Sequence, residues 1–474
     1  MYSAKMNQFV NSIDTRYTET TNGMLAHQGT GNKVVDLFYK VGASRGKNII
    51  PHFVASYVED QELATRTMLW ARDVREGAGE RQLFRDVLVW LEHNDFDRFL
   101  RVIKAVPNLG RWDDLWVVTT PTAKEAVFSI VAKALSEDNG LAAKWTPRKG
   151  KIAEEFRAWL GLSPKSYRKM LVERTKVVET QMCSNDWDHI NFSHVPSQAS
   201  RIYKKAFERH TPRFKEYVQA LVKGDPKVKV NAGAVYPYEV LKPLMNTWNT
   251  SATEREHAIQ QWKSLPNWLV DNTTILPMVD VSGSMMSPAG KNTGVTCLEV
   301  AVSLGLYLSD KTKSAFKDLF LTFSGNPEFV HLKGTILQKI QQMKKSSWGM
   351  NTNLCLALEQ VLNHAAQNQV PQSDMPKIIL ILSDMQFDSC AATSSTAMNA
   401  LKARYTSHGY EVPQVVFWNL NSHENVPVKA REDGVALVSG FSPSIVKTVL
   451  TTPRDGFTPQ GVMLNTIMKD RYNH

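Results

Sequence analysis

The pattern of apolar and polar residues changes character near residue 271. From residue 32 to residue 270, apolar residues recur at helical spacing, and short loops with Gly, Pro, Asn or Asp separate the segments. From residue 272, strand-like apolar runs alternate with helical segments. The first pattern predicts an array of helices, and the second predicts a mainly parallel sheet with helices on both faces.

We therefore expect three regions: a polar amino-terminal arm (residues 1–31), a helical-repeat domain (residues 32–271) and a doubly wound α/β domain (residues 272–474). The arm contains turn signals and no periodicity, so it should be poorly ordered or drape over the protein. Beyond a first helix that ends near Gly42, predicted helices of the second region cover residues 49–58, 63–74, 80–93, 96–106, 122–135, 152–160, 167–182, 199–209 and 214–223. Such helices joined by short turns favour an α-solenoid or an irregular helical-repeat array.

In the third region, predicted strands cover residues 275–279, 319–323, 377–382, 414–419 and 435–438, and predicted helices cover residues 295–310, 335–343, 353–367, 396–408 and 444–450. Pro277 lies inside the first strand, which should be central. Because proline lacks the N–H group that a sheet ladder needs, we expect a bulge there.

Bulk properties narrow the class of protein. A chain of 474 residues suggests two or three domains at roughly 150 residues each. The four cysteines lie far apart, so the sequence predicts free thiols and neither a zinc knuckle nor a disulfide framework. The amino terminus lacks the apolar segment of a signal peptide, and the longest apolar run, residues 298–308, is too short to span a bilayer. A cytoplasmic protein is therefore expected.

The formal net charge of +10 is distributed unevenly. Residues 1–270 carry 39 basic and 30 acidic side chains, whereas residues 271–474 carry 17 and 16. Within the first part, residues 141–229 carry 19 basic and 9 acidic side chains. Such a stretch would attract a polyanion, of which nucleic acid is the commonest. The alternative is a solvated basic face without a partner.

Basic side chains in this stretch alternate with the aromatic residues Trp145, Tyr167 and Tyr203. Cations for phosphates and aromatic faces for bases are the mixture that binds single-stranded nucleic acid. The alternative is that the aromatic residues belong to the core. The candidate RNA-binding residues are Lys144, Arg148, Lys149, Lys151, Lys165, Tyr167, Arg168, Lys169, Arg201, Lys204 and Lys205.

Two other islands, residues 72–81 and residues 110–115, are dense in charges of both signs. Each lies where one predicted helix ends and another begins. Ion pairing between helices is favoured over ligand contact as the explanation for both.

Five oxygen-bearing side chains lie in three polar loops, each of which would follow a strand of the sheet. Asp280, Ser282 and Ser284 follow the first strand, Thr352 precedes the helix from residue 353, and Asp384 ends the strand over residues 377–382. Ligand sites of open α/β sheets lie at the carboxyl ends of strands. Carboxylate and hydroxyl oxygens suit Mg²⁺ or Mn²⁺, so we expect one divalent cation, most simply Mg²⁺, at this edge.

These motifs resemble the von Willebrand A (vWA) domain and its metal-ion-dependent adhesion site, over about residues 272–474. Two carboxylates and neutral hydroxyls leave one coordination position open to an acidic side chain or a phosphate of a partner. Metal-assisted hydrolysis would also need a general base, for which Asp388 is the nearby candidate. The sequence contains no nucleophile triad and no phosphate-binding GxxxxGK[ST] motif, so binding is favoured over catalysis.

The helical half carries a second resemblance, in the segments ARDVREGAGERQLFRD (residues 71–86), LGRWDDLW (109–116), AKWTPRKGK (143–151), GLSPKSYRKML (161–171) and YKKAFERH (203–210). They resemble an uncharacterised family of vWA-linked helical proteins related to the Ro autoantigen (TROVE) family. That resemblance implies a ring of HEAT-like repeats closed by the vWA domain. It further implies that structured RNA binds on the basic outer surface and RNA ends bind in the hole.

The implied function is that of a non-catalytic, RNA-binding ribonucleoprotein component for small noncoding or misfolded RNA. A second hypothesis is a vWA protein-interaction adaptor, for example the partner of an AAA+ ATPase, whose metal captures an acidic protein ligand. The third is a metal-dependent nuclease or phosphatase that uses Asp280 and Asp384. Neither a membrane partner nor DNA specificity is expected.

Overall fold

The computed structural model describes residues 17–245, 250–269, 273–291, 293–323, 327–345, 353–387, 394–421, 423 and 425–474. The described chain is rich in helix and contains a six-stranded, mostly parallel sheet. We call residues up to 269 the helical half and residues from 273 the sheet half. Each described helix is too short or too polar to cross a membrane.

The helical half begins with two short strands, followed by helices that pack mainly on their neighbours in sequence. The strands are β1 (Tyr17–Glu19) and β2 (Leu25–His27). The helices are α1 (Lys33–Val41), α2 (Ile50–Glu59), α3 (Gln61–Arg72), α4 (Gln82–Asn94), α5 (Phe96–Leu109), α6 (Pro121–Ser136), α7 (Gly140–Trp145), α8 (Lys151–Trp159), α9 (Pro164–Arg174), α10 (Val178–Cys183), α11 (Ser197–His210), α12 (Arg213–Lys223), α13 (Pro237–Met245) and α14 (Ala252–Lys263). Whether they form HEAT-like repeats stays a prediction.

Local sequence signals explain many of the helix starts. Asp60 and Asp95 cap α3 and α5, since each side chain accepts a hydrogen bond from a backbone N–H two or three residues into the helix. Ser163 caps α9, with Pro164 at its first position. The end of α9 was predicted wrongly, because residues 167–182 form two helices instead of one. The Thr175 hydroxyl donates to the Leu171 carbonyl at 2.6 Å, and such a side-chain bond competes with continuation of the helix.

The sheet half follows a regular alternation with two additions. Its strands are β3 (Ile275–Asp280), β4 (Leu319–Phe323), β5 (Phe329–His331), β6 (Ile378–Ser383), β7 (Gln414–Asn419) and β8 (Val435–Ser439). Its helices are α15 (Cys297–Lys311), α16 (Ile336–Lys345), α17 (Leu354–Gln367), α18 (Ser394–Ser407), α19 (Ile445–Thr451) and α20 (Pro459–Ile467). The sequence pattern missed β5 and α20.

The strand order is β5-β4-β3-β6-β7-β8, and all neighbours are parallel except β4 and β5. Residues of β3 and β6 are buried along their whole length. Along β3, Ile275 and Val279 belong to the hydrophobic cluster that contains α15, whereas Leu276 and Met278 belong to the cluster that contains α17. Helices therefore cover both faces of the sheet, as in a doubly wound arrangement.

Pro277 causes no bulge, so that prediction was wrong. The register between β3 and β6 runs without a break from Ile275 opposite Ile378 to Val279 opposite Leu382. On the other side, pairing with β4 begins only at Met278. The missing N–H of Pro277 therefore interrupts no ladder.

The described part of the predicted polar arm is ordered. Strands β1 and β2 form an antiparallel hairpin, and His27 bridges to Val426 of the sheet half through two backbone hydrogen bonds of 3.0 and 2.9 Å. Met24 is fully buried in the cluster that contains α17. This one apolar anchor and the backbone bridge fix a segment that looks polar in sequence.

Both ends of the helical half pack on the sheet half. At its start, the Gly42 N–H donates to the Ser439 hydroxyl at 3.0 Å, and a Cβ on Gly42 would lie 2.4 Å from the Ser439 carbonyl oxygen. At its end, the Trp262 indole donates to Asp310 at 3.0 Å. The two ends also meet, since the Tyr236 hydroxyl donates to the Ala78 carbonyl at 3.2 Å. The first and the last helices of the helical half are therefore both anchored to the sheet half.

The cysteines are only partly as expected. Cys183 and Cys297 are free thiols, whereas Cys355 is disulfide-bonded. The prediction that all thiols are free was therefore wrong. Wide spacing in sequence says nothing about spacing in the fold, because α/β crossovers bring distant segments together.

Candidate functional site

Asp280 lies at the carboxyl end of β3, next to the end of β6. Its side chain is fully buried. One carboxylate oxygen accepts the Ser282 N–H at 2.9 Å, and the other accepts the Ser383 hydroxyl at 2.5 Å. Two neighbouring strand ends therefore hold this carboxylate in one orientation.

The hydroxyls of the first loop connect Asp280 to the carboxylate on the next strand. The Ser282 and Ser284 hydroxyl oxygens are 3.1 Å apart, and the Ser284 hydroxyl donates to Asp384 at 3.3 Å. The structure thus brings four of the five predicted metal ligands together. The fifth, Thr352, lies outside the described residues, as does the candidate base Asp388.

The electrostatics of this cluster favour a cation. Burial, and then the charge of Asp384, raise the pKa of Asp280 to about 7. Burial also raises the pKa of Asp384, whose second carboxylate oxygen is buried and has no hydrogen-bond partner among the described residues. Among the described residues, neither carboxylate forms an ion pair. Two buried carboxylates with a free oxygen and adjacent hydroxyls fit a divalent cation, which would relieve their repulsion.

No group of three or more His, Cys, Asp or Glu side chains that could hold a metal occurs in the described ranges. Burial raises the pKa of the adjacent Cys297 thiol to about 12, with further increases from Asp384 and Asp280 and a decrease from Lys47. Cys297 is therefore a neutral thiol, unsuited to act as a nucleophile or a thiolate ligand.

The amino-terminal hairpin contacts the loop that follows Asp384. The Thr20 hydroxyl donates to the Phe387 carbonyl at 2.6 Å. The Thr21 N–H donates to the Gln386 side chain at 2.6 Å, and the Asn22 amide donates to the Gln386 carbonyl at 2.7 Å. Sequence reasoning missed this contact, since the segment shows only turn signals.

A loop of the helical half contacts the segment that follows the loop of Ser282 and Ser284. The Lys291 N–H donates to the Arg45 carbonyl at 2.8 Å. Gly46 and Gly290 allow this approach: both have positive φ, and a Cβ on either would lie 2.7 Å from the facing residue. Arg45 itself forms an ion pair with the buried Glu80 at 2.6 Å. The segment around Gly290 and Lys291, which follows the loop of Ser282 and Ser284, is therefore fixed to the helical half.

Six of the predicted RNA-binding cations are exposed on two adjacent segments: the loop between α7 and α8 together with the first residue of α8, and the first turns of α9. We call this set the basic surface: Arg148, Lys149, Lys151, Lys165, Arg168 and Lys169. The Tyr167 hydroxyl of α9 donates to the Pro147 carbonyl at 2.8 Å, and Arg148 donates to the Thr175 hydroxyl at 2.9 Å. These bonds hold the loop against α9.

Three of the four other predicted RNA-binding cations are less accessible. Lys144 forms an ion pair with Glu179 at 2.7 Å, and Arg201 pairs with Glu239 at 3.1 Å. Lys204 is buried, and its burial lowers its pKa. Lys205 is exposed on α11.

The aromatic residues predicted to stack on bases are covered or buried. Tyr167 is 5% exposed and packs in the main hydrophobic cluster. The guanidinium of Arg111 lies 3.9 Å from the centre of the Trp145 ring, and Tyr203 is half-buried with its hydroxyl on Glu179 at 3.2 Å. The core alternative therefore describes Tyr167 better, and its ring is not offered to a base.

The two mixed-charge islands form a buried ion-pair network, as favoured from the sequence. Arg72 and Asp114 are almost completely buried and pair at 2.7 Å, and Arg85 pairs with Asp114 at 2.8 Å. Asp113 accepts hydrogen bonds from Arg111, and the charge of Arg85 further lowers its pKa, against the effect of burial. These residues join α3, α4 and the 3₁₀ helix Trp112–Val117.

Two family models match the chain, each over less than half of its length. Both are described as a domain of unknown function: DUF2828 matches residues 20–100 and 127–275, and DUF7788 matches residues 274–464. No model of the vWA or TROVE families matches.

The uncharacterized protein L728 of Acanthamoeba polyphaga mimivirus is 26% identical over 511 residues, which cover 94% of this chain and 86% of the viral protein. The crystal structure of the Deinococcus radiodurans Ro (RSR) protein aligns over 88% of this chain and 90% of that chain, at 13% identity and a TM-score of 0.38.

Proposed function

We propose that this protein is a non-catalytic RNA-binding component that uses the basic surface to hold structured or single-stranded RNA. One observation carries the proposal: six exposed cations lie on two segments that hydrogen bonds hold together. Phosphate contacts of exposed Lys and Arg dominate affinity for nucleic acid, because their formation releases counterions. The described helical half thus offers a preformed electrostatic footprint.

The start of α8 adds to this footprint. Its capping residue, Gly150, has φ +85° and provides no side-chain hydrogen bond. The first N–H groups of α8 therefore lie beside Arg148, Lys149 and Lys151 without a capping side chain, where they add positive potential for a phosphate.

The first experiment reverses four charges of the basic surface: Arg148→Glu, Lys149→Glu, Arg168→Glu and Lys169→Glu. At ~0.1 M salt the affinity for RNA should fall by roughly 100- to 1,000-fold, and the slope of log K against log salt should fall by about 3. The measurement is a binding titration at several salt concentrations.

The matched control reverses four exposed basic residues of the sheet half: Lys317, Lys333, Lys377 and Arg431. It changes the net charge equally and should leave most of the affinity intact. If both variants lost the same RNA affinity, the interaction would be non-specific electrostatic attraction. If neither variant lost RNA affinity, the basic surface would be excluded as the binding site.

We further propose that Asp280, Ser282, Ser284 and Asp384 bind a divalent cation, Mg²⁺ with Mn²⁺ as the alternative, as in a metal-ion-dependent adhesion site of the vWA type. The free oxygen of Asp384 supports this assignment. When bound, the cation would offer an open coordination position to an anionic oxygen. Asp280 and Asp384 hold the charge, and the two hydroxyls complete the donor set.

A protein-interaction adaptor is the second candidate function. Met286, two residues beyond Ser284, is 62% exposed and offers an apolar contact beside the polar cluster. An acidic ligand at the cation could place an apolar neighbour on Met286. Affinity purification from the native host should then yield a protein complex that Asp384→Asn and chelation both abolish, while bound RNA remains. A complex indifferent to both treatments would refute the adaptor.

A further inference from the structure

Trp159 is a large aromatic side chain that the helical half leaves open. It is the last residue of α8, and 46% of it is exposed. Its ring is nearly parallel to that of Phe156, with the centres 6.3 Å apart and an angle of 21°, and it meets the Phe128 ring edge-on at 6.0 Å. The Phe156 and Phe128 rings thus hold the Trp159 ring in place, while nearly half of the residue is exposed to solvent.

The same aromatic cluster connects Trp159 to the basic surface. Phe156 contacts the Tyr167 ring edge-on at 6.2 Å, and the Tyr167 hydroxyl holds the Pro147 carbonyl next to Arg148. Helix α9, which carries Lys165 and Arg168, therefore packs on the aromatic cluster that supports Trp159.

Glu155, one turn before Trp159, should repel a bound phosphate only weakly, because its charge is paired. Glu155 pairs with Lys124 of α6 at 2.7 Å. Across residues 141–176 there are ten basic and three acidic side chains, and Glu155 is one of the three. The segment that carries Trp159 therefore has a net charge of +7, and positive charge favours the phosphates of single-stranded nucleic acid.

We propose that Trp159 is a stacking platform for a base of single-stranded RNA whose phosphates lie along the basic surface. This inference rests on the proposed RNA binding and assigns to it a class of substrate. An unpaired base can leave its neighbours and stack on an indole, whereas a base in a duplex is already stacked and paired. The phosphates supply affinity for any RNA, and Trp159 adds preference for the single strand.

The test compares Trp159→Ala and Trp159→Phe in the full-length protein, with an oligouridylate and a blunt RNA duplex as probes. Trp159→Ala should weaken binding of the oligouridylate by about 5- to 150-fold, because stacking on an aromatic side chain has that effect per base. The salt dependence should not change, since no phosphate contact is removed. Trp159→Phe should retain part of the affinity, and duplex binding should be unaffected.

Val172→Ala is the matched control, since Val172 is an apolar residue of α9 that is 57% exposed. It should not change the affinity for either probe.

If Trp159→Ala leaves the oligouridylate affinity unchanged while the four-charge reversal lowers it, the platform is refuted and RNA binding stands. Equal weakening of both probes by Trp159→Ala would refute stacking. If the unaltered protein binds neither probe, both proposals fail. A thermal melt that matches the unaltered protein shows that Trp159→Ala is folded.

Discussion

The acidic cluster of Asp280, Ser282, Ser284 and Asp384 differs from the basic surface in whether its charges are buried or exposed. In the sheet half, Asp280 and Asp384 are buried, and backbone and hydroxyl donors hold them where strands end. In the helical half, cations such as Lys149 and Lys165 stand in solvent. Buried charges need a partner of opposite sign, whereas exposed charges cost little and attract a partner from a distance.

This difference implies different sensitivities. The cluster depends on a few atoms, so one substitution should abolish its function. The basic surface spreads its contribution over several side chains, so single substitutions should have small, additive and salt-dependent effects.

The largest expected effect concerns the cluster. Mg²⁺ at about 100 times its Kd should raise the free energy of unfolding by about 2.7 kcal/mol. Asp384→Asn should abolish that gain, because it removes one ligand charge, and should stabilise the metal-free protein by relieving repulsion with Asp280. Denaturant unfolding with and without Mg²⁺ measures both effects.

Asp374→Asn, at an exposed position of the sheet half, is the control and should retain the full response to Mg²⁺. A variant Asp384→Asn that responds to Mg²⁺ like the unaltered protein would contradict the assignment. RNA affinity of Asp384→Asn should remain normal, since the basic surface lies in the other half.

The next largest effect is acid destabilisation of the helical half. Burial, and then the charge of Lys204, lower the pKa of His257 to about 3, and His257 is hydrogen-bonded to Ser200 at 2.8 Å. The unfolded chain binds this proton at a pKa of about 6.5, so the stability is present above that pH and is lost as the pH falls. Between about pH 7 and pH 5 the loss should be about 2 kcal/mol.

His257→Gln should remove this part of the pH dependence of unfolding, because the amide does not titrate in this range. His408→Gln, at an exposed position of the sheet half, should leave it in place. An unchanged pH profile for His257→Gln would show that other groups cause the acid sensitivity.

Tyr167→Phe tests whether Tyr167 stabilises the fold without contacting RNA. Losing its hydrogen bond to the Pro147 carbonyl should cost about 1 kcal/mol of unfolding free energy. RNA affinity should change less than about twofold, since the ring is buried. A large loss of affinity at unchanged stability would instead place Tyr167 in contact with RNA.

Lys169→Ala should have the smallest effect on stability and a distinct effect on RNA. The side chain is 74% exposed and lies 3.7 Å from Glu173, so unfolding should change by less than about 0.5 kcal/mol. The salt slope should fall by about 0.7 for one lost phosphate contact. An unchanged salt slope would show that Lys169 does not contact a phosphate.

Much of the local structure was readable from periodicity and capping. Strand β3, strand β7 and helix α5 lie within a few residues of their predicted positions, because the apolar pattern of each element and the Asp95 cap of α5 are local signals. Three features could not be read from these local signals: the split between α9 and α10, the β1–β2 hairpin and the regular register at Pro277. Each depends on a contact with a distant segment or on which neighbour a strand pairs with first.

The sequence alone determined which residue types could form each site: hydroxyls and carboxylates at strand ends, and cations clustered in residues 141–229. Only the tertiary structure decided which of them share a place. It joined Ser284 to Asp384 across a hundred residues, paired Lys144 with Glu179, and buried Tyr167 while leaving Trp159 open. Burial and pairing depend on the packing of distant segments, which composition and spacing do not encode.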